Sequence, residues 1–431
     1  MESIIIGKTY PKILVISNNC FSLSNSNGRT LGNLFEGWPK EKLAQFCVIA
    51  QDPNWNTCDN YYCLEDREVL KAFSHFSKAE GRLLVQHQVA QPVDSKRANI
   101  GRKTVSKVAL RELVWSDKRW NSKSFQQWVN KLDPDIVVLQ FGDSFFMMDI
   151  AYYIASTRNI PLVIYNTEGY YFFPRNWHHI SKWDNWMFPI YNRIYRKKVK
   201  RVMGIAKHCV YLNDKLKDDY DNVFAGDSTV IYNSSSVERS EMPLFTTAVP
   251  RISYLGNLGL DRDSALIEVG EVLQSISKEY EIDVYGKASN TMKQRFAQAP
   301  GVDYKGLVSY DEVKCIISES DILFHVETEK GYKERQLQYA FSTKIADSIA
   351  SGKCFVLYAP KELACSKYMR DSRAGWIASQ KQQLRAAIND IINRPEQRVD
   401  ILASAKTTAE ANHNFHKNAQ KFQSILMSLE K

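Results

Sequence analysis

The sequence predicts an α/β protein of two doubly wound domains, and three observations carry that prediction. Strand-like and helix-like segments alternate along almost the whole chain, the pattern of parallel sheets covered on both faces. The alternation lapses between Ser234 and Pro250, where Ser, Thr and Pro concentrate, so it falls into two series. At 431 residues the chain is also long for a single core. The predicted division is 1–240, 250–405, and a helical tail over 406–431 that packs back on the first domain.

The first series holds the apolar runs Lys12 to Ser17, Ile136 to Phe141, Leu162 to Tyr165, Cys209 to Leu212 and Thr229 to Tyr232. Each is short, β-branched and bounded by turn residues, as a buried strand is. The stretch from Asp52 to Asn121 is polar and basic and gives no clear element. The second series holds Arg251 to Gly256, Ile282 to Gly286, Val302 to Gly306, Ile322 to Val326 and Cys354 to Tyr358. Between them Leu266, Val269, Leu273, Ile276 and Tyr280 step by three and four, a helix face. Ser309 and Glu312 form a capping box. Ser342 and Thr343 are favoured helix-start residues, and Gly352 is the expected stop. In the tail, Phe415, Ala419, Phe422, Leu426 and Leu429 lie on one stripe, which leaves His413 and His416 as surface residues.

Composition narrows the function. No apolar run approaches the roughly 18 residues that span a bilayer. Ile4, Ile5 and Ile6 are too short for a secretory signal. The eight cysteines are scattered without a CxxC pair, which suits free thiols in a reducing cytoplasm rather than zinc or disulfides. A net charge of +9 points to an anionic partner.

Two Rossmann-like domains facing across a cleft would bring loops from the carboxyl ends of both sheets into it. Three loops are candidates. In the first, Gly28 permits close backbone approach, and Arg29 with Thr30 opens a helix. In the second, Gly256 ends a strand and Arg262 starts the next helix. In the third, Ser342, Thr343 and Lys344 form a helix start. Backbone amides, hydroxyls and two cations at such positions suffice for a diphosphate. Lys287, just after the strand ending at Gly286, points the same way. The competing reading of each lysine is a solvated one.

These motifs resemble the GT-B fold glycosyltransferases of the family-four type, in the form found among bacterial surface-polysaccharide enzymes. Gly256 and Arg262 match the strand–glycine–loop–basic pattern, and STKIADSIASGKCFV, from Ser342 to Val356, is close to that group's donor motif. NGRTLGNLF, DPDIVVLQF, NIPLVIYNTEGYY and TVIYNSSSV fall in the expected order. The resemblance implies a retaining enzyme that moves a sugar from a nucleotide diphosphate sugar to a glycan or lipid-linked acceptor. It implies an N-terminal acceptor domain and a C-terminal donor domain. Arg262 and Lys344 would stabilise the departing diphosphate, and Asp347 would hold the ribose. Gly28, Arg29, Thr30, Gly256, Lys287, Ser342 and Thr343 would complete the donor site. Glu168 stands where that group often has a histidine near the donor sugar. The usual glutamate pair is broken: Tyr339 occupies the earlier place, and Glu327 or Glu329 would compensate. No metal or other cofactor is expected. Two alternatives stand beside this reading: a nucleotide-sugar epimerase or hydrolase of the same fold, and a basic nucleic-acid-binding protein. Clustering of the basic residues in one segment speaks against nucleic acid.

That segment runs from Asn185 to Asn213 without an acidic residue. It carries Arg193, Arg196, Lys197, Lys198, Lys200, Arg201 and Lys207, just after Trp177, Trp183 and Trp186. A basic helix beside aromatics suits an anionic membrane surface, so the expectation is a cytoplasmic protein, peripheral on the inner face of the membrane through Arg193–Arg201. His178 and His179 are read as packing or acceptor contacts.

Overall fold

The computed structural model describes residues 10–86, 104–116, 118–172, 182–240, 245–329 and 337–429. Contacts divide the chain into two units: Met1–Ile231 with Asn418–Lys431, and Tyr232–Lys417. The passage from one to the other thus lies at Ile231, earlier than the compositional lapse. His178 and His179 lie outside the described residues.

The first unit holds an eight-stranded sheet. Its strands are β1 (Ile13–Asn19), β2 (Leu43–Ile49), β3 (Tyr61–Cys63), β4 (Arg82–Leu83), β5 (Ile136–Gln140), β6 (Leu162–Asn166), β7 (Ala206–Tyr211) and β8 (Asp227–Val230). Their order is β4-β3-β2-β1-β5-β6-β7-β8, and only the β3–β4 pair is antiparallel. The connections reverse direction between β1 and β5. β1 sits there because Ile13, Leu14, Val15 and Ile16 are apolar on both faces, and all four are fully buried. The last predicted strand lies two residues earlier than its apolar run. Ile231 and Tyr232 are buried for another reason: Ile231 joins the first unit's core, and the Tyr232 ring packs against Phe341 and Tyr368 in the second. The stretch that gave no clear element holds β3, β4 and two helices, Asp66–Ser74 and Val105–Val114.

The second unit holds a six-stranded, all-parallel sheet. Its strands are β9 (Ile252–Leu255), β10 (Ile282–Tyr285), β11 (Val302–Gly306), β12 (Ile322–Val326), β13 (Cys354–Tyr358) and β14 (Trp376–Ala378), in the order β11-β10-β9-β12-β13-β14. This is the doubly wound order whose switch point lies between β9 and β12. Leu266, Val269 and Leu273 of the helix Arg262–Ile276 are buried on the sheet, as their spacing requires. Tyr280 lies beyond the helix but still packs on that core. The Ser309–Glu312 capping box forms. Gly352 follows the helix Thr343–Ala350 with φ +80°, the left-handed stop that glycine adopts without strain.

The tail is two helices rather than one: Pro395–Thr408 and Phe415–Ser428, joined by a π turn over Ala409–His413. In the second helix Phe422 and Leu426 enter the first unit's core, with Phe422 edge-on to Phe35 at 5.3 Å. His413 is a correction to the expected surface position. It is 1 % exposed, with Nε2 at 2.9 Å from Tyr368 Oη and Nδ1 at 2.8 Å from the Asn233 carbonyl. The π turn swings it off the stripe and into the unit. His416 is exposed, as expected. Every cysteine but Cys315 is buried, and all are free.

Candidate functional site

The switch point of the second sheet carries the best-formed polar constellation. β9 ends in the turn Gly256–Asp261. Asn257 Oδ1 accepts from the Gly259 amide at 2.8 Å, and Tyr254 Oη donates to the Asn257 carbonyl at 2.8 Å. Thr328 Oγ1, just past β12, donates to the Leu260 carbonyl at 2.8 Å. So braced, Leu260 and Asp261 hold φ values of +60° and +65°, a conformation that costs a non-glycine residue free energy. This fixed turn delivers Arg262 to the first position of its helix, where the sequence placed it.

Arg262 is not a free cation. It is 8 % exposed and forks Glu327, with Nε to Oε2 and Nη2 to Oε1 both at 2.9 Å. His325 Nε2 lies 3.0 Å from the same Oε1. His325 and Glu327 are two apart at the end of β12, so their side chains leave on one face. Burial opposes charge on Glu327, but the His325 hydrogen bond and the Arg262 guanidinium outweigh it and hold its carboxyl below the usual range. Glu327 was expected to compensate for the broken glutamate pair; in the structure its oxygens accept from Arg262 and His325, which makes it the counterion of Arg262.

The second arm is the helix start at Ser342. Its hydroxyl accepts from the Lys344 amide at 3.2 Å, the predicted cap. Lys344 Nζ lies 3.3 Å from Asp347 Oδ2, one turn on. Asp347 is 5 % exposed, and its Oδ1 accepts from Ser235 Oγ at 2.9 Å. Each predicted cation therefore has a carboxylate partner: Arg262 with Glu327, Lys344 with Asp347. Thr343 is half-buried on the same turn.

The remaining predicted residues are more scattered. A Cβ on Gly256 would meet Tyr254 Oη at 2.8 Å, and one on Gly286 would meet the Gly256 carbonyl at 2.2 Å. These glycines let the β9 and β10 turns touch. Lys287 is exposed, and so is Glu329. Gly28, Arg29, Thr30 and Glu168 belong to the first unit. A Cβ on Gly28 would stand 2.3 Å from the Cys20 carbonyl, so its close approach is to the chain's own loop. Its helix starts at Ser26, capped by Asn25, which leaves half-buried Arg29 and Thr30 inside the helix rather than at its opening. Glu168 is exposed beyond β6, and its amide donates to Asn166 Oδ1 at 3.0 Å.

Beside Glu327 lies a depression of about 1060 Å³ at the carboxyl ends of β9, β12, β13 and β14. Glu268, Tyr358 and Gln380 line it, with Lys361 and Arg370 on the wall. Tyr358 Oη donates to Glu268 Oε2 at 2.6 Å. Among the described residues one carboxylate group is close-set enough to share a cation: Glu281, Asp283 and Asp303. Lys305 already answers its charge, at 3.3 Å from Asp283 and also bonded to Asp303.

The basic segment of the first unit forms most of the helix Lys182–Met203. Phe188, Tyr191, Tyr195, Val199 and Val202 are buried. Trp183, Trp186, Ile190 and Ile194 are 72, 66, 57 and 46 % exposed and step along the outer face. Two of the predicted basic residues, Arg196 and Lys198, turn partly inward, while Arg201 stays exposed and lies along the surface. Lys198 pairs with Asp149 at 2.6 Å, Arg201 stacks on Tyr152 at 3.6 Å, and Arg196 stacks on Tyr171 at 5.1 Å. Arg193, Lys197 and Lys200 are exposed as well. No described helix is long and apolar enough to cross a membrane.

Residues 269–424 match the sequence profile of a family described as Glycosyl transferase-like. No curated protein matches the chain. Among solved structures, HepE of Anabaena, in complex with UDP, shares 13 % identity over 97 % of this chain and 100 % of its own, with a TM-score of 0.63. Sucrose-phosphate synthase from Thermosynechococcus elongatus shares 12 % identity over 98 % and 99 %, with a TM-score of 0.62. The lipopolysaccharide outer core galactosyltransferase WaaB shares 12 % identity over 95 % and 98 %, with a TM-score of 0.56. The fold is therefore that of the GT-B glycosyltransferases, as the motifs led us to expect.

Proposed function

We propose that this chain acts as the glycosyltransferase its fold and matched domain indicate, moving a sugar from a nucleotide diphosphate sugar to a glycan or lipid-linked acceptor in surface-polysaccharide synthesis. The bond from the sugar C1 to the β-phosphate oxygen breaks, and a bond from C1 to an acceptor hydroxyl oxygen forms. The hydroxyl proton leaves with the nucleoside diphosphate. The anomeric configuration is retained, and no divalent metal or other cofactor is required.

The observation that carries this reading is Arg262, a cation at a helix start on the switch point of a doubly wound sheet. Preorganised there, it acts on charge that builds on the departing diphosphate. Lys344 at the Ser342 turn is the second donor, and Asp347 beside it holds the ribose. HepE was solved with UDP, so UDP-sugars are the first donors to try. The acceptor is membrane-proximal, reached from the cytoplasmic side by a protein bound peripherally through the outer face of Lys182–Met203.

The test is transfer from radiolabelled UDP-sugars to a membrane-lipid extract, in excess chelator. Acceptor-dependent product with retained configuration is expected. Label released without acceptor would favour a hydrolase, and an altered but untransferred sugar would favour an epimerase. Loss of activity in chelator, restored by magnesium, would overturn the metal-free mechanism. A nucleoside diphosphate at 100 times its dissociation constant should add about 2.7 kcal/mol of stability.

A further inference from the structure

The pairing of Arg262 presents a difficulty for a diphosphate site. A free buried arginine that meets the charge building on the departing diphosphate would meet the same charge on the released product, and so would slow its departure. Here the fork to Glu327 uses Nε and Nη2 and leaves Nη1 outside it. The carboxylate is itself gripped: Glu327 is 4 % exposed and also meets His325, which is 3 % exposed. His325 Nδ1 is buried without a partner. The ring lies near-parallel to Tyr254, at 6.5 Å and 25°. Tyr254 in turn braces the turn that presents Arg262. The unit is closed: two strands, one turn and one carboxylate hold one guanidinium.

We propose that Glu327, held by His325, is a positioning residue with two effects on Arg262: it aims the guanidinium, and it weakens its hold on the nucleoside diphosphate so that product leaves. This rests on the donor-site reading above. Sugar contact by Glu327 is not part of the role proposed. The two effects separate chemically. Charge governs affinity, whereas the length and planarity of the fork govern aim.

Glu327→Gln removes the charge and keeps the shape. Glu327→Asp keeps the charge and shortens the reach. UDP, GDP, CDP and ADP serve as probes by calorimetry on the full chain, with melting curves to show that each variant folds. In Glu327→Gln the nucleotide that the unaltered protein binds should bind about tenfold tighter. Its kcat should fall about tenfold or more, with KM falling as well. In Glu327→Asp the affinity should stay within about twofold while kcat falls about tenfold. If Glu327→Gln does not fold, Glu327→Asp alone decides, and an unchanged kcat overturns the proposal. Unchanged or weaker nucleotide affinity in folded Glu327→Gln overturns it too. If the unaltered protein binds none of the four nucleotides, the donor-site reading itself fails, an outcome distinct from either result.

Discussion

At the scale of single residues, the two cations differ in what surrounds them, and their variants should differ accordingly. Lys344 is half-buried, and without it Asp347 keeps its hydrogen bond from Ser235, so the variant is expected to fold at some cost in stability. Lys344→Ala is expected to lower turnover by roughly two orders of magnitude, the usual loss for one charge stabiliser. Near-normal turnover, measured by initial rates at saturating donor, would remove Lys344 from the site. Arg262→Ala is a poorer probe, because it strands Glu327, and a stranded buried charge costs about 3–5 kcal/mol. His413 supports a different prediction. Burial lowers its pKa to about 4, with the Asn233 carbonyl pulling weakly the other way. The folded value lies below the ordinary one, so the unfolded chain binds the proton more tightly between pH about 6.5 and 4. The stabilisation is complete above pH 6.5 and is lost as pH falls through 4, by about 3 kcal/mol in all. Urea midpoints should show this slope, and His413→Gln should flatten it. A wild-type stability that is level from pH 7 to pH 4 would contradict the assignment.

At the scale of elements, the outer face of Lys182–Met203 makes the sharpest claim. Four apolar side chains step along it, with exposed Arg193, Lys197 and Lys200 beside them. An interfacial helix needs both: apolar groups to enter the headgroup boundary and cations to draw it to an anionic leaflet. Co-sedimentation with anionic vesicles at low salt is therefore expected. Glu in place of Trp186 and Ile190, or Gln in place of Arg193, Lys197 and Lys200, should abolish it. Gln at Arg196 and Lys198 should change it much less, because those half-buried side chains are engaged with Tyr171 and Asp149. Equal loss from both sets would mean that only bulk charge matters. This element also marks the limit of what could be read in advance. A run of basic residues was legible, but that Lys198 turns inward depends on Asp149, 49 positions away. Nearly all the long strands, the Ser342 cap, the Gly352 stop and the capping box were legible because each is set by neighbours in sequence. The seven-residue β2 was passed over, and β3, β4 and β14 were not legible, since two or three residues show no period. The counterion of Arg262 was missed for the same reason as that of Lys198: it lies 65 residues on. One signal was available. In the strand Ile322–Val326 and its exit, His325 and Glu327 stand at a spacing of two, polar groups on one face of an otherwise apolar run.

At the scale of the whole molecule, the chain leaves the first unit at Ile231 and returns at Asn418. The returning segment is part of the core, since Phe422 and Leu426 are fully buried. Phe422→Ala should cost the first unit about 3–5 kcal/mol, as for other large-to-small core changes. Calorimetry can assign the loss. The second unit's transition should rise with UDP, and the substitution should lower only the other one. A single transition lowered as a whole would mean that the two units unfold together.

The same return has a consequence for how the protein is made. Synthesis runs from the amino end, so the eight-stranded sheet emerges before the second unit, yet the helix that covers Phe35 is made only after it. The second unit is one unbroken run of sequence and can close as soon as it clears the ribosome. The unit that is begun first is therefore finished last. Throughout translation of the intervening residues it carries an uncovered apolar patch around Phe35, the feature by which chaperones would find the nascent chain.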